Sequence, residues 1–68
     1  MLNAIGTVLG VEKKGKKDKP FFVLHLLDGY TKIEVLGNKT FDFGQGEVVE
    51  VPVRVYQDKL YAIQSPAF

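Results

Sequence analysis

Phe21-Phe22-Val23-Leu24-His25-Leu26-Leu27-Asp28-Gly29-Tyr30-Thr31-Lys32-Ile33-Glu34-Val35-Leu36 is the stretch that decides the fold. Two runs rich in β-branched, aromatic and aliphatic residues flank Asp28-Gly29, a two-residue hairpin signal. The turn predicts a pairing of Leu27 with Tyr30, Leu26 with Thr31, His25 with Lys32, Leu24 with Ile33, Val23 with Glu34 and Phe22 with Val35. Side chains alternate along a strand, so Phe22, Leu24, Leu26, Thr31, Ile33 and Val35 share one face, which reads as core. Phe21, Val23, His25, Leu27, Tyr30, Lys32 and Glu34 share the other. A solvated face would hold fewer apolar residues, and a core face would hold no Lys or Glu. The mixture reads as a binding or dimer face.

The same period of two runs through the rest of the chain, and no segment reads as a helix. Val49, Val51, Val53 and Val55 alternate with Glu50, Pro52, Arg54 and Tyr56. Pro52 cannot donate a ladder hydrogen bond, which predicts an unpaired edge or a bulge there. Five strands are expected: Asn3 to Glu12, Phe21 to Leu27, Tyr30 to Leu36, Glu47 to Tyr56 and Lys59 to Gln64. Gly6 and Gly10 inside the first suggest strong bending. Positions 37 to 46 hold three glycines and an Asn and read as a loop, with Phe41 and Phe43 plugging an open end of the sheet or stacking on a ligand. The lone pair Gly44 and Gly46 reads as a turn. The last turn, near Gln57-Asp58-Lys59, has no Gly to fix its register. A three-residue turn would put Tyr61 and Ile63 in the core and leave Tyr56 and Leu60 outside. Five short strands without helices predict an all-β fold, a small five-stranded antiparallel barrel of the OB type, as a single domain over residues 1–68.

The charge is concentrated before the second strand. Lys13, Lys14, Lys16, Lys17 and Lys19 fall within seven residues, spaced by Gly15 and Asp18 and ended by Pro20-Phe21-Phe22. Five lysines against one aspartate make this segment +4, and the remaining residues sum to −3 beneath a total of +1. The segment reads as a flexible basic hairpin loop over positions 12–20, lying between the first and second strands. Cations beside stackable rings are what a single-stranded nucleic-acid site needs, charge for phosphates and π-faces for bases. A lysine-rich turn kept for solubility fits the same residues.

Composition excludes several classes. A chain of 68 residues buries only about 60% of its unfolded surface, so a small core of this kind often leans on a second subunit, and a homodimer is expected. There is no Cys and one His, so no disulfide, thiolate metal site or cofactor is expected. The lack of Cys fits a reducing cytoplasm. No HExxH, P-loop or Ser-His-Asp pattern points to an enzyme. Met1-Leu2-Asn3-Ala4 lacks a basic n-region and an apolar h-region, and Phe21 to Leu27 is too short to cross a bilayer, so neither a targeting signal nor a membrane role is expected.

Gly10-Val11-Glu12-Lys13-Lys14-Gly15-Lys16-Lys17-Asp18-Lys19-Pro20-Phe21, together with Gly46-Glu47-Val48-Val49-Glu50-Val51-Pro52-Val53-Arg54-Val55-Tyr56 and the tail Ser65-Pro66-Ala67-Phe68, resembles the single-stranded-DNA-binding (helix-destabilising) proteins of filamentous phages. The likeness spans most of the chain at low identity. It implies a cytoplasmic OB-fold dimer that coats single-stranded DNA cooperatively, during replication or phage assembly. It also implies that Lys13, Lys16, Lys17 and Lys19 meet phosphates and that Phe21 stacks. The wing here is all Lys where that family mixes in Arg, the ring after the Pro is Phe21 rather than Tyr, and the linker before the fourth strand differs.

The candidate nucleic-acid-binding residues are therefore Lys13, Lys14, Lys16, Lys17, Lys19, Phe21, His25, Tyr30, Lys32, Arg54 and Tyr56. Tyr61 reads as core. Glu47, Glu50 and Asp58 would repel a polyanion, which places the site away from the start of the fourth strand. A sequence-tolerant single-stranded DNA-binding module fits best, with DNA favoured over RNA. An RNA-binding cold-shock-like OB domain and a small SH3-like barrel for a protein partner are the other readings.

Overall fold

The computed structural model describes residues 2–64, so the Pro-containing tail named above lies outside the described residues. Five strands, β1 (Leu2–Lys16), β2 (Lys19–Asp28), β3 (Thr31–Gly37), β4 (Val48–Tyr56) and β5 (Lys59–Ala62), close a barrel in the order β1-β2-β3-β5-β4. All neighbours pair antiparallel except β3 and β5, whose short parallel contact at Val35 and Leu36 with Leu60 and Tyr61 completes the ring. This is the OB-like barrel expected from the period-two pattern, and the connection from β3 to β4 holds no helix.

Inward-facing residues fill the interior. Leu24, Leu26 and Val35 have no solvent exposure, and Ala4, Val8, Val51 and Val53 complete the walls. Phe41 is buried in the core cluster beside Gly37, and Phe43, more exposed, stacks on it with ring centroids 6.4 Å apart. Before β4 the chain turns at Gln45-Gly46, where the Glu47 carboxylate accepts from Gly44 N–H. Val8 then exchanges two backbone bonds with this segment, donating to Glu47 O at 2.7 Å and accepting from Gly46 N–H at 2.8 Å.

One irregularity sets which way β1 points. The register against β2 shifts between Val8 and Gly10, leaving Leu9 as an extra residue. Ala4, Gly6 and Val8 face inward before this bulge. After it Val11 pairs with core Leu24, so Glu12 and Lys14 face outward. A bulge reverses the alternation in one strand while the partner strand keeps its own.

Four expectations need correction. The β2–β3 turn lies one residue later than Asp28-Gly29, for Asp28 pairs with Thr31 and the two turn residues are Gly29 and Tyr30. Gly29 has φ +63°, the left-handed start of a type II′ turn, which spares Asp28 that conformation. Pairing moves by two residues, so His25 opposes Glu34 and Leu24 opposes Val35. An even shift leaves both faces intact. Tyr30, however, leaves the mixed face for the turn tip and is fully exposed.

The basic segment is mostly ladder rather than loop. Pairing continues from Glu12 with Val23 to Lys16 with Lys19, and only Lys17-Asp18 turn. Gly15, at φ +93°, takes a left-handed conformation inside this ladder, opposite Pro20.

The last hairpin has a two-residue turn at Gln57-Asp58, both with positive φ, as in a type I′ turn. Val53 then opposes Ala62 and Val55 opposes Leu60. Leu60 and Ala62 pack on the core, and Tyr61 faces out.

Finally, β4 has no free edge, because it pairs with β1 on one side and β5 on the other. Pro52 O accepts from Ile63 N–H at 2.9 Å. The return bond that Pro52 cannot make falls just past the end of β5, where nothing in the ladder requires it.

These positions separate folding from surface roles. Leu24→Ala opens a cavity among Leu26, Val35 and Val53 and is expected to cost about 2–5 kcal/mol. Phe21→Ala, on the outer face, is expected to leave the chemical denaturation midpoint nearly unchanged. Urea titration of both variants checks the assignment, and equal losses would contradict the face division.

Candidate nucleic-acid interface

The outward residues of the five strands form a continuous row. Glu12 opposes Val23, Val23 opposes Leu36, Leu36 opposes Tyr61, and Tyr61 opposes Arg54, in the strand order of the barrel. Val23 and Leu36 make an apolar floor, and Val23 is only 1% exposed although it points outward. Above this floor lies an open groove of about 900 Å³. One wall is the base of the β1–β2 hairpin, with Lys14 and Phe21. The other is the β4–β5 turn, with Asp58, Lys59 and Tyr61. Lys32 and Glu34 rise from β3 between them.

The local sequence explains how the rings are held. Phe21 pairs with Lys14, and its ring lies against the backbone of Gly15. A Cβ at Gly15 would come within 2.9 Å of Phe21 Cδ1 and 2.7 Å of Lys19 O. Gly15 thus serves both the left-handed backbone of the hairpin and the seat of the ring. Tyr61 packs edge-on against Tyr56, with centroids 6.3 Å apart and planes at 64°, an arrangement aromatic pairs favour.

Of the sequence-derived candidates, Lys14, Phe21 and Lys32 line the groove. Lys16 and Lys19 oppose each other further along the hairpin, on the register side of Lys14 and Phe21. Lys13 falls on the opposite side, paired with Phe22, and Lys17 is in the turn. Arg54 and Tyr56 adjoin the far wall through Tyr61. Tyr30 is at the other end of β3 and does not join the site. The groove-lining Leu36, Lys59 and Tyr61 were not among the candidates. Tyr61 would have followed from a two-residue last turn, which puts Leu60 and Ala62 inside and Lys59 and Tyr61 outside.

His25 is tied into the structure. Its Nε2 lies 3.1 Å from Glu12 Oε1, and Lys14 Nζ lies 3.7 Å from the same oxygen. An ionised carboxylate only accepts, so Nε2 carries the proton and donates. Nδ1 is buried without a protein partner. The hydrogen bond from His25 is the main cause that holds the Glu12 carboxyl below its ordinary range, with Lys14 adding to it and partial desolvation opposing it. Among the described residues these are the only ion pairs, so Lys13, Lys16, Lys17, Lys19 and Lys32 have none. No three His, Cys, Asp or Glu side chains among the described residues gather as a metal site. No helix among them is long and apolar enough to cross a membrane.

No protein-family model, curated protein or solved structure matches the chain.

The Glu12–His25 bond has a pH signature. A carboxyl held low in the folded state stabilises that state fully above the ordinary carboxylate range, and the contribution is lost as pH falls through the lowered value. In an NMR titration the Glu12 carboxyl carbon is expected to titrate below the ordinary glutamate range. His25→Phe is expected to move it back toward that range. An unmoved titration in that variant would show that His25 does not hold Glu12.

Proposed function

We propose that this protein is a single-stranded nucleic-acid-binding module, with DNA as its ligand, and that it acts by coating the strand with little regard to sequence. One observation carries the reading: a groove with an apolar floor and two flanking rings, Phe21 and Tyr61, is edged by Lys14, Lys32 and Lys59 and adjoined by the Lys16–Lys19 pair. Phosphates draw on cations spaced along a backbone track, and bases draw on exposed π-faces. In OB-type barrels the outer face of β2 and β3, between the first hairpin and the last, is the place where oligonucleotides bind. The likeness of the wing and tail to filamentous-phage helix-destabilising proteins supports the same reading and extends it to a cytoplasmic role in replication or assembly. It is a binding reading and involves no catalysis.

Tyrosine fluorescence with oligo(dT), duplex DNA and RNA at two salt concentrations tests it. Single-stranded DNA is expected to bind most tightly, with log affinity falling against log salt at about −0.7 per phosphate contact. Lys14→Ala and Lys16→Ala are expected to weaken binding and flatten that slope. Phe21→Ala and Tyr61→Ala are expected to cost about 1–3 kcal/mol each with the slope kept. Affinity independent of salt would sink the proposal, and tighter binding to RNA would assign the groove to that ligand instead.

A homodimer belongs to the same proposal. Ile5, Leu9, Leu27 and Val48 are exposed around Thr7, which pairs with both Leu27 and Val48. Their outward apolar surface favours a second copy. Sedimentation at micromolar concentration is expected to give twice the chain mass, and Val48→Lys is expected to give the monomer. A strict monomer for the unaltered chain would remove the dimer and leave the groove reading standing.

A further inference from the structure

The groove contains two carboxylates that a site made only for phosphates would lack. Glu34 rises from the outer face of β3 between Lys32 and Leu36, and Asp58 sits in the β4–β5 turn on the facing wall. Among the described residues, neither makes an ion pair or a side-chain hydrogen bond. A carboxylate beside a polyanion is repelled unless it meets a donor. The donors a nucleic acid can offer it are base N–H groups. The rings that would hold base faces, Phe21 and Tyr61, edge the same groove, which brings base edges into reach of its floor and walls.

We propose that Glu34, with Asp58, biases the groove toward bases that carry an exocyclic amino group, so that cytosine is preferred over uracil and thymine. This rests on the reading of the groove as a single-strand site and gives that site a chemical preference. Cytosine presents an amine at position 4, where uracil and thymine present a carbonyl oxygen. An ionised carboxylate accepts from the first and repels the second. The one donor of uracil and thymine, N3–H, is flanked by carbonyl oxygens on both sides, whereas one N–H of the cytosine amine points away from every acceptor of its ring. The cations are left for phosphates, because Lys14, Lys32 and Lys59 do not pair with Glu34 or Asp58. Stacking alone would not separate the pyrimidines, since every base has a π-face.

Oligo(dC) and oligo(dU) of equal length, compared at neutral pH and one salt concentration, test the proposal. They share ring size and backbone and lack the thymine methyl. The unaltered protein is expected to bind oligo(dC) about tenfold more tightly, the scale of one charge-assisted hydrogen bond. In the double variant Glu34→Gln, Asp58→Asn, the ratio is expected to fall to near unity, mainly through tighter binding of oligo(dU), with the salt slope of the lysines kept. Both positions are exposed, and Asn accepts the left-handed backbone of residue 58. Melting curves on the variant verify that it folds. Equal affinities in the unaltered protein, a preference for oligo(dU), or a cytosine preference that survives in the double variant would each overturn the proposal while leaving the single-strand reading in place. Absence of binding to both oligonucleotides would overturn both.

Discussion

Everything on the outer surface depends on the strict alternation of side chains around a closed barrel. The interior is narrow, and Leu24, Leu26, Val35, Val51 and Val53 use it up. Each residue between them must face out, whatever its chemistry. That is why Val23 and Leu36, both apolar, are outside and make a floor rather than a core. The bulge at Leu9 is the single exception to the alternation in β1. Without it Glu12 and Lys14 would point to the side of Leu24, and the wall of the groove would lose its cation and the partner of His25. A one-residue irregularity therefore joins the barrel to the groove on its outer face.

Much of this was legible in the chain. Two central strands with opposite faces, a Gly-rich loop and a valine strand were enough to specify the barrel, because a two-residue period survives errors of an even number of residues. The β2–β3 turn shows this: the pairing moved by two, and the core assignment of Phe22, Leu24, Leu26, Ile33 and Val35 did not change. Odd errors are different. Reading the last turn as three residues exchanged the sides of Leu60 and Tyr61. The sequence offered little protection, since Gln57 adopts a left-handed conformation that its side chain does not announce, and Ala62 is a weaker core signal than Tyr61 or Ile63. The bulge at Leu9 was hidden for a similar reason. Gly10 hinted at irregularity, yet nothing local marks the residue that is skipped in the pairing.

The lysine segment gains meaning from being paired. A loop would spread its charges through many conformations. A ladder fixes Lys16 opposite Lys19, and like charges directly opposite are destabilising. The cost is tolerable because both side chains are long and exposed, and ions in solution screen them. A phosphate between the two would turn the same geometry to advantage. The repulsion that weakens the free hairpin is thus the attraction available to a polyanion, without a change of backbone.

Glu12 shows how the face can hold a cation ready without committing it. The carboxylate is exposed and lies 3.7 Å from Lys14, an arrangement worth little in water. Its closer bond is to His25, which is mostly enclosed and keeps Glu12 in place whether or not Lys14 is near. A phosphate bound here would therefore compete only for the weaker of the two contacts. On the proposed strand-binding reading, Lys14 would leave Glu12 at small cost, while Glu12 would keep its donor and not be left as an unpaired charge. In a site for anions, the His–Glu bond would make an acidic residue tolerable at its edge.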